Sequence, residues 1–141
     1  MFKGTLLAGG RGFESNGTRL VNMAQLKESS LSSPAYWAPF APYVVPDNNK
    51  VTVTLATSDK LYVAGDFYYI DILPRASLIA AWNGTGWANP GMCGSQSSST
   101  GPSAKEIKAL AIYKNKLCVA GSFDKMDDNA MTANNIACIP I

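Results

Sequence analysis

The sequence predicts an all-β, propeller-like protein of four-stranded antiparallel blades, with three blade units and an incomplete ring in one chain. The first observation behind this is a recurring apolar strip. "TLLAGG" (5–10), "KLYVAG" (60–65) and "KLCVAG" (116–121) place Ala8, Ala64 and Ala120 at successive intervals of 56 residues, each followed by glycine. The second is a further strip at a nearly fixed distance behind each glycine: "VNMAQL" (21–26), "SLIAAW" (77–82) and "NNIACI" (134–139). A repeat of this length is the mark of stacked supersecondary units. The third is that the runs are too short for helices and rich in Val, Ile, Tyr and Gly, which favours strands.

Each element follows from local chemistry. "VTVTLATSDK" precedes Leu61 as "IKALAIYKNK" precedes Leu117, and Asp59-Lys60 and Asn115-Lys116 are turn dipeptides between two apolar runs. Each pair is therefore expected to be a β-hairpin. Trp37 in "YWAPF" and Trp87 in "GWANP" mark a short last strand, and in the middle unit "WNGTG" supplies an Asn-Gly turn before it. "LYVA" and "ALAI" do not alternate apolar with polar, so both faces of these strands are expected to be covered. Face-to-face stacking of sheets around an axis does that. The units run over approximately 1–49, 50–105 and 106–141 of a single propeller segment, 1–141.

Composition limits the function classes. An apolar fraction of 47% allows a buried core. Twelve Lys and Arg against ten Asp and Glu leave a net charge of +2, with no charged run, so neither nucleic acid nor an anionic membrane is implied as a partner. No segment is apolar enough to span a membrane, and the N-terminal stretch does not match a secretion signal. A charged fraction of 16% leaves a neutral, polar surface of the kind suited to extracellular or virion proteins. Cys93, Cys118 and Cys138 have no CxxC spacing and there is no histidine, which argues against zinc. Cys118 and Cys138 are expected to be small buried apolar residues, and Cys93 a loop thiol.

The strips "LYVAGDF", "LIAAWNGTGW" and "KALAIY" of the middle unit, and "LCVAGSF" and "NNIACI" of the last, resemble kelch-like propeller repeats of the form LYVGGSF…NNIARW. The resemblance covers nearly the whole chain and is specific for the blade, not for a function. Such propellers include galactose-oxidase-like enzymes, cell-surface proteins and binding scaffolds. The chain begins on the second strand of a blade and stops after the third, giving three strands, then four, then three. Closed propellers have about 4 to 8 blades. Further blades of the same propeller, or other protein subunits, are expected to complete the ring.

In a propeller, the connections from second to third strand and from blade to blade emerge at one end. Binding sites favour long loops on a rigid scaffold. "RGFESNGTR", "DFYYIDILPR" and "SFDKMDDNAMTA" are expected there. Phe67, Tyr68 and Tyr69, with Ile70 and Asp71 beside them, are candidates for a patch that contacts a protein or a glycan. The alternative is that these side chains fold back over a neighbouring blade. Asp124, Asp127 and Asp128 offer carboxylates of the kind calcium takes, but the spacing of a calcium loop is not matched and turns attract Asp for their own hydrogen bonds. No metal is assigned. Asn16 and Asn83, each in "NGT", are glycosylation acceptors only in a eukaryotic secreted protein. Trp82 and Trp87 are expected to pack between blades.

Without histidine, Ser-His-Asp and Cys-His catalysis are excluded, as are the imidazole ligands of a copper oxidase. Asp66 and Asp71 have no second acidic cluster to converge on them. "AGGRGF" lacks the lysine and helix of a phosphate loop, and no cofactor is implied. The expectation is a non-catalytic binding or structural module that engages a protein or glycan through its loop face, within a larger cell-surface or virion assembly. The alternative is a fragment of a glycan-active or oxidase-like propeller enzyme whose catalytic residues lie outside this chain.

Overall fold

The computed structural model describes residues 1–28, 34–40, 50–67, 70, 78–91, 106–123, 125–126 and 131–141. Among them the chain is all-β. β1 (Leu7–Ser15), β2 (Thr18–Lys27) and β3 (Tyr36–Pro39) form a three-stranded antiparallel sheet. β4 (Lys50–Ala56), β5 (Leu61–Asp66), β6 (Ile79–Trp82) and β7 (Trp87–Ala88) form a sheet of four. β8 (Glu106–Tyr113), β9 (Lys116–Ser122) and, after a two-stranded ribbon of β10 (Lys125–Met126) and β11 (Met131–Thr132), β12 (Ile136–Pro140) form another sheet of three. The sequence of three, four and three strands is the one expected. The sheets stack in chain order, β1 against β4, and β4 and β5 against β8, as propeller blades do.

Turn chemistry sets the hairpins. Lys114 and Asn115 both take positive φ between Tyr113 and Lys116, the two-residue turn whose twist suits flanking strands. The turn is centred one residue earlier than expected. Asn16 and Gly17 make the same turn between β1 and β2. The stretch expected as a loop, "RGFESNGTR", is therefore mostly the tip of a long hairpin, because backbone pairing to Ser15↔Thr18 satisfies polar groups that a loop would leave to solvent.

The repeated glycine has a specific cause. β4 bulges between Val51 and Val53 opposite Gly65 and Ala64, and β8 bulges between Ile107 and Ala109 opposite Gly121 and Ala120. The bulge pushes a carbonyl of the first strand onto the second. A Cβ at Gly65 would collide with the Lys50 carbonyl oxygen, and one at Gly121 with that of Glu106.

The 56-residue interval holds between the second and third sheets, where Ala64 stands opposite Val53 and Ile79 as Ala120 stands opposite Ala109 and Ile136. It fails by one residue in the first sheet. There Gly9, not Ala8, stands opposite Met23, the counterpart of Ile79 and Ile136. With no strand ahead of it in its own sheet, β1 rests directly on β4. A Cβ at Gly9 would lie 2.7 Å from Cγ1 of Val51, so glycine takes the place that alanine holds in the other sheets.

Two apolar layers fill the gaps between sheets. Phe2, Met23, Val51, Leu61, Val63 and Ala80 lie between the first and second sheets. Tyr62, Ala64, Ile79, Ile107, Leu117 and Val119 lie between the second and third. β5 is accordingly buried on both faces, as "LYVA" predicts. β8 is not: Ala109 and Ala111 of "ALAI" are exposed, because no described residue covers the outer face of the third sheet.

Candidate functional site

Strand direction divides the stack into two ends. At one end are the tight turns at 57–60, 83–86 and 114–115. At the other are the β1–β2 hairpin tip and the connections out of β3, β5, β7 and β9. The base of the β5 and β9 connections is the same in both units. The Gly65 N–H donates to the Leu78 carbonyl at 3.0 Å, and the Leu78 N–H to the Phe67 carbonyl at 2.8 Å. The Gly121 N–H donates to the Asn135 carbonyl at 3.0 Å, and the Asn135 N–H to the Phe123 carbonyl at 3.0 Å. This lock needs a left-handed residue, and Leu78 and Asn135 have φ of 68° and 69°. Asn accepts that conformation readily, whereas Leu pays about 1–2 kcal/mol there, which its complete burial offsets.

The lock decides the fate of Phe67. It directs the side chain into the layer between the first and second sheets, where Phe67 is 0% exposed and Ile70 with it. Phe67 is thus a core residue and not part of an exposed contact patch. A large apolar ring held at the base of a loop by backbone hydrogen bonds gains more from burial than from solvent. Tyr68, Tyr69, Asp71, Asp124, Asp127 and Asp128 lie outside the described residues. Asn16 is exposed at its hairpin turn. Asn83 is exposed too, and its Oδ1 accepts the N–H groups of Thr85 and Gly86, each at 2.9 Å, closing the β6–β7 turn.

Trp82 and Trp87 pack as expected on the first-to-second layer. Their ring centroids are 5.2 Å apart, and Phe40 meets both edge-on at 6.0 and 6.5 Å. Trp87 Nε1 is buried without a hydrogen-bond acceptor. Two features were missed from the sequence. Asn22, fully buried in "VNMAQL", accepts the Gly12 N–H at 3.2 Å; a polar residue beside Met23 in a mostly apolar strip was the signal. The other is a disulfide between Cys118 and Cys138, in place of two buried thiols. Its residues face each other across β9 and β12. The Gly121–Asn135 and Ile141–Asn115 bonds make odd positions of β9 the hydrogen-bonded pairs. Cys118 and Cys138 therefore fall on a non-hydrogen-bonded pair, where side chains approach most closely.

The loop end carries a charge clamp. Lys50 Nζ is 2.8 Å from Glu106 Oε1, and the Thr52 hydroxyl donates to the same oxygen at 2.7 Å, joining the starts of β4 and β8. The Lys50 ammonium holds the Glu106 carboxyl below its ordinary value of 4.5; partial burial opposes this and Thr52 adds to it. A depressed carboxyl stabilises the fold above its ordinary value and ceases to do so as pH falls through the folded value. Glu106→Gln is expected to cost about 1 kcal/mol at pH 7. The difference from wild type should shrink steadily below pH 4.5. Urea unfolding at pH 7 and at progressively lower pH checks this, and a constant difference would remove the clamp from the account.

At the opposite end a cleft of about 200 Å³ lies between the β4–β5 and β8–β9 turns, lined by Thr57, Asp59, Lys60, Tyr62, Asn115 and Ile141. The Thr57 hydroxyl accepts the Lys60 N–H at 3.0 Å, and its oxygen is 3.0 Å from Asp59 Oδ1. Burial, and then the Asp59 charge, push the Tyr62 phenol upward, so it remains a hydrogen-bond donor. The cleft can hold a small polar group. Asp59 is the only acid among its lining residues.

Among the described residues, no three His, Cys, Asp or Glu side chains gather as a metal set, and no helix is long and apolar enough to cross a membrane. No family model, no curated protein and no solved structure matches this chain.

Proposed function

We propose that this chain is a non-catalytic binding module, a segment of a kelch-like propeller that engages a protein or a glycan through its loop end. The observation that carries the reading is the division of the stack. Rigid sheets project the long connections out of β3, β5, β7 and β9 from a single end, while tight turns close most of the other. The histidine-free composition is consistent with a binding role and leaves acid–base work to carboxylates, which are few. The Cys118–Cys138 disulfide supports a place in an oxidising setting, such as a cell surface or virion.

The partner chemistry follows from "DFYYIDILPR" (66–75), in which Tyr68 and Tyr69 offer aromatic faces suited to a sugar ring or an apolar side chain. A glycan array and a pull-down with the intact protein supply the ligand. Tyr68→Ala with Tyr69→Ala is then expected to weaken binding at least about tenfold, roughly the loss of one aromatic contact. The circular dichroism spectrum should be unchanged. Undiminished binding by that folded variant would overturn the reading.

A further inference from the structure

The two layers between sheets are closed differently at the tight-turn end of the stack. In the first, Phe2 is 5% exposed and fills that end with Leu61, Trp82 and Trp87. In the second, the same end is the cleft of about 200 Å³ between the β4–β5 and β8–β9 turns. β5 supplies both layers, and its alternation sends Leu61 to the first and Tyr62 to the second. Where one layer receives an apolar side chain, the other receives a phenol.

The packing uses the ring of that phenol but not its hydroxyl. Tyr62 is 1% exposed and lies in the cluster of Leu117 and Val119, yet it lines the cleft. Among the described residues its hydroxyl has no hydrogen-bond partner. Burial first, and then the Asp59 charge, push its pKa up, so the proton stays on at neutral pH. The second of these effects also sets the hydroxyl near a carboxylate that lines the same cleft. A buried Tyr hydroxyl ordinarily finds a partner. Here the donor is directed at whatever occupies the cleft.

The other lining groups define the occupant. Asp59 Oδ1 is 3.0 Å from the Thr57 hydroxyl, which fixes the carboxylate at the rim. Lys60 beside it brings a positive charge, so the lining side chains sum to zero and favour neither an anion nor a cation. The carboxylate only accepts hydrogen bonds, whereas the Tyr62 hydroxyl and the Lys60 ammonium donate them. A neutral ligand that donates and accepts at neighbouring atoms satisfies both, and the vicinal diol of a sugar does so. Size agrees. A cavity of about 150 Å³ admits benzene, so about 200 Å³ admits one pyranose ring.

We infer that this cleft is a binding site for a single sugar ring, which sets one hydroxyl on Tyr62 and a neighbouring one on Asp59. The site lies at the end of the stack opposite the long connections and does not depend on the loop-end reading. A free monosaccharide and the terminal residue of a glycan present the same diol.

Titration of the intact, ¹⁵N-labelled protein with glucose, galactose and mannose, and with their methyl glycosides, tests this. At least one sugar is expected to shift the amide resonances of Asp59, Lys60 and Asn115 saturably. The Kd should be on the order of 1–10 mM, the affinity of a ligand of about a dozen heavy atoms. Binding of the methyl glycoside as well marks the terminal residue of a glycan, and binding of the free hexose alone marks a free sugar. Tyr62→Phe is expected to weaken binding about fivefold to tenfold, the loss of one neutral hydrogen bond. Its urea midpoint should match wild type, because the lost hydroxyl bonds to no described residue. Asp59→Asn keeps an oxygen for Thr57 and is expected to weaken binding more than about tenfold, the loss of a bond to a charged group. No saturable shift with any of these sugars, or undiminished binding by either variant, would overturn the inference. Tighter saturation of the same amides by acetate or methylammonium would make the cleft an ion site and overturn it too. Shifts confined to the loop end, and abolished by Tyr68→Ala with Tyr69→Ala, would sink this inference and leave the loop-end reading standing.

Discussion

Phe67→Ala is expected to lower the unfolding free energy by about 3–5 kcal/mol, the cost of emptying a fully buried aromatic site. That is a large part of the roughly 5–15 kcal/mol that holds a domain of this kind together. Phe67 touches the layer between the first and second sheets, with Val63 of β5 and Ile70 in the same cluster. Its carbonyl, which the substitution leaves in place, also closes the Leu78 lock. The loss should therefore appear as reduced stability in urea unfolding, with strand content retained in the native baseline. Phe67→Leu, which keeps most of the volume, should recover more than half of it. A loss below about 1 kcal/mol for Phe67→Ala, the size typical of a surface change, would mean that the ring is not in the core.

Joint replacement of Cys118 and Cys138 by serine is expected to cost about 3 kcal/mol, the loop-closure value for a bridge near this length. The two cysteines are 20 residues apart and span the ribbon of β10 and β11. The bridge ties β12 to β9, and β12 gains support from only one neighbouring strand in its sheet. The untreated protein should titrate with one thiol, Cys93, and with three after reduction and unfolding. Three thiols in the untreated native protein would overturn the bridge. A stability equal to wild type in the double variant would show that pairing alone holds β12.

These two results bear on what was legible in the residues. The three main sheets with three, four and three strands followed from strip spacing and turn chemistry, since pairing in antiparallel strands is decided between near neighbours, whereas the β1–β2 hairpin tip and the β10–β11 ribbon fell in stretches expected as loops. The burial of "LYVA" on both faces was legible for the same reason. "ALAI" carries the same apolar signal and is half exposed, because burial depends on what lies across the gap, which a strand does not encode. Phe67 was ambiguous for a related reason. Aromatic residues after a strand suit a loop tip or a core equally, and the backbone lock of Gly65, Leu78 and Phe67 decided between them.

The disulfide illustrates the same boundary. Three cysteines without a spacing motif allow no pairing to be chosen. Once Ile136 is set opposite Ala120, Cys138 must fall opposite Cys118. The first sheet shows the converse, where the match of Ala8 to Ala64 and Ala120 was one residue out. The sequence rewards the alignment that pairs like letters, while the fold required a residue without a side chain against Val51.

By itself, then, the chain's sequence determined an all-β stack of three, four and three strands, with tight turns closing the β4–β5, β6–β7 and β8–β9 links. Those features depend on local periodicity and on the residues each turn tolerates. Only the tertiary structure decided the one-residue slip at Gly9, the burial of Phe67, the Cys118–Cys138 bridge and the outer face of the third sheet that no described residue covers. Each of these depends on contacts between residues far apart in sequence, which exist only after the sheets have packed.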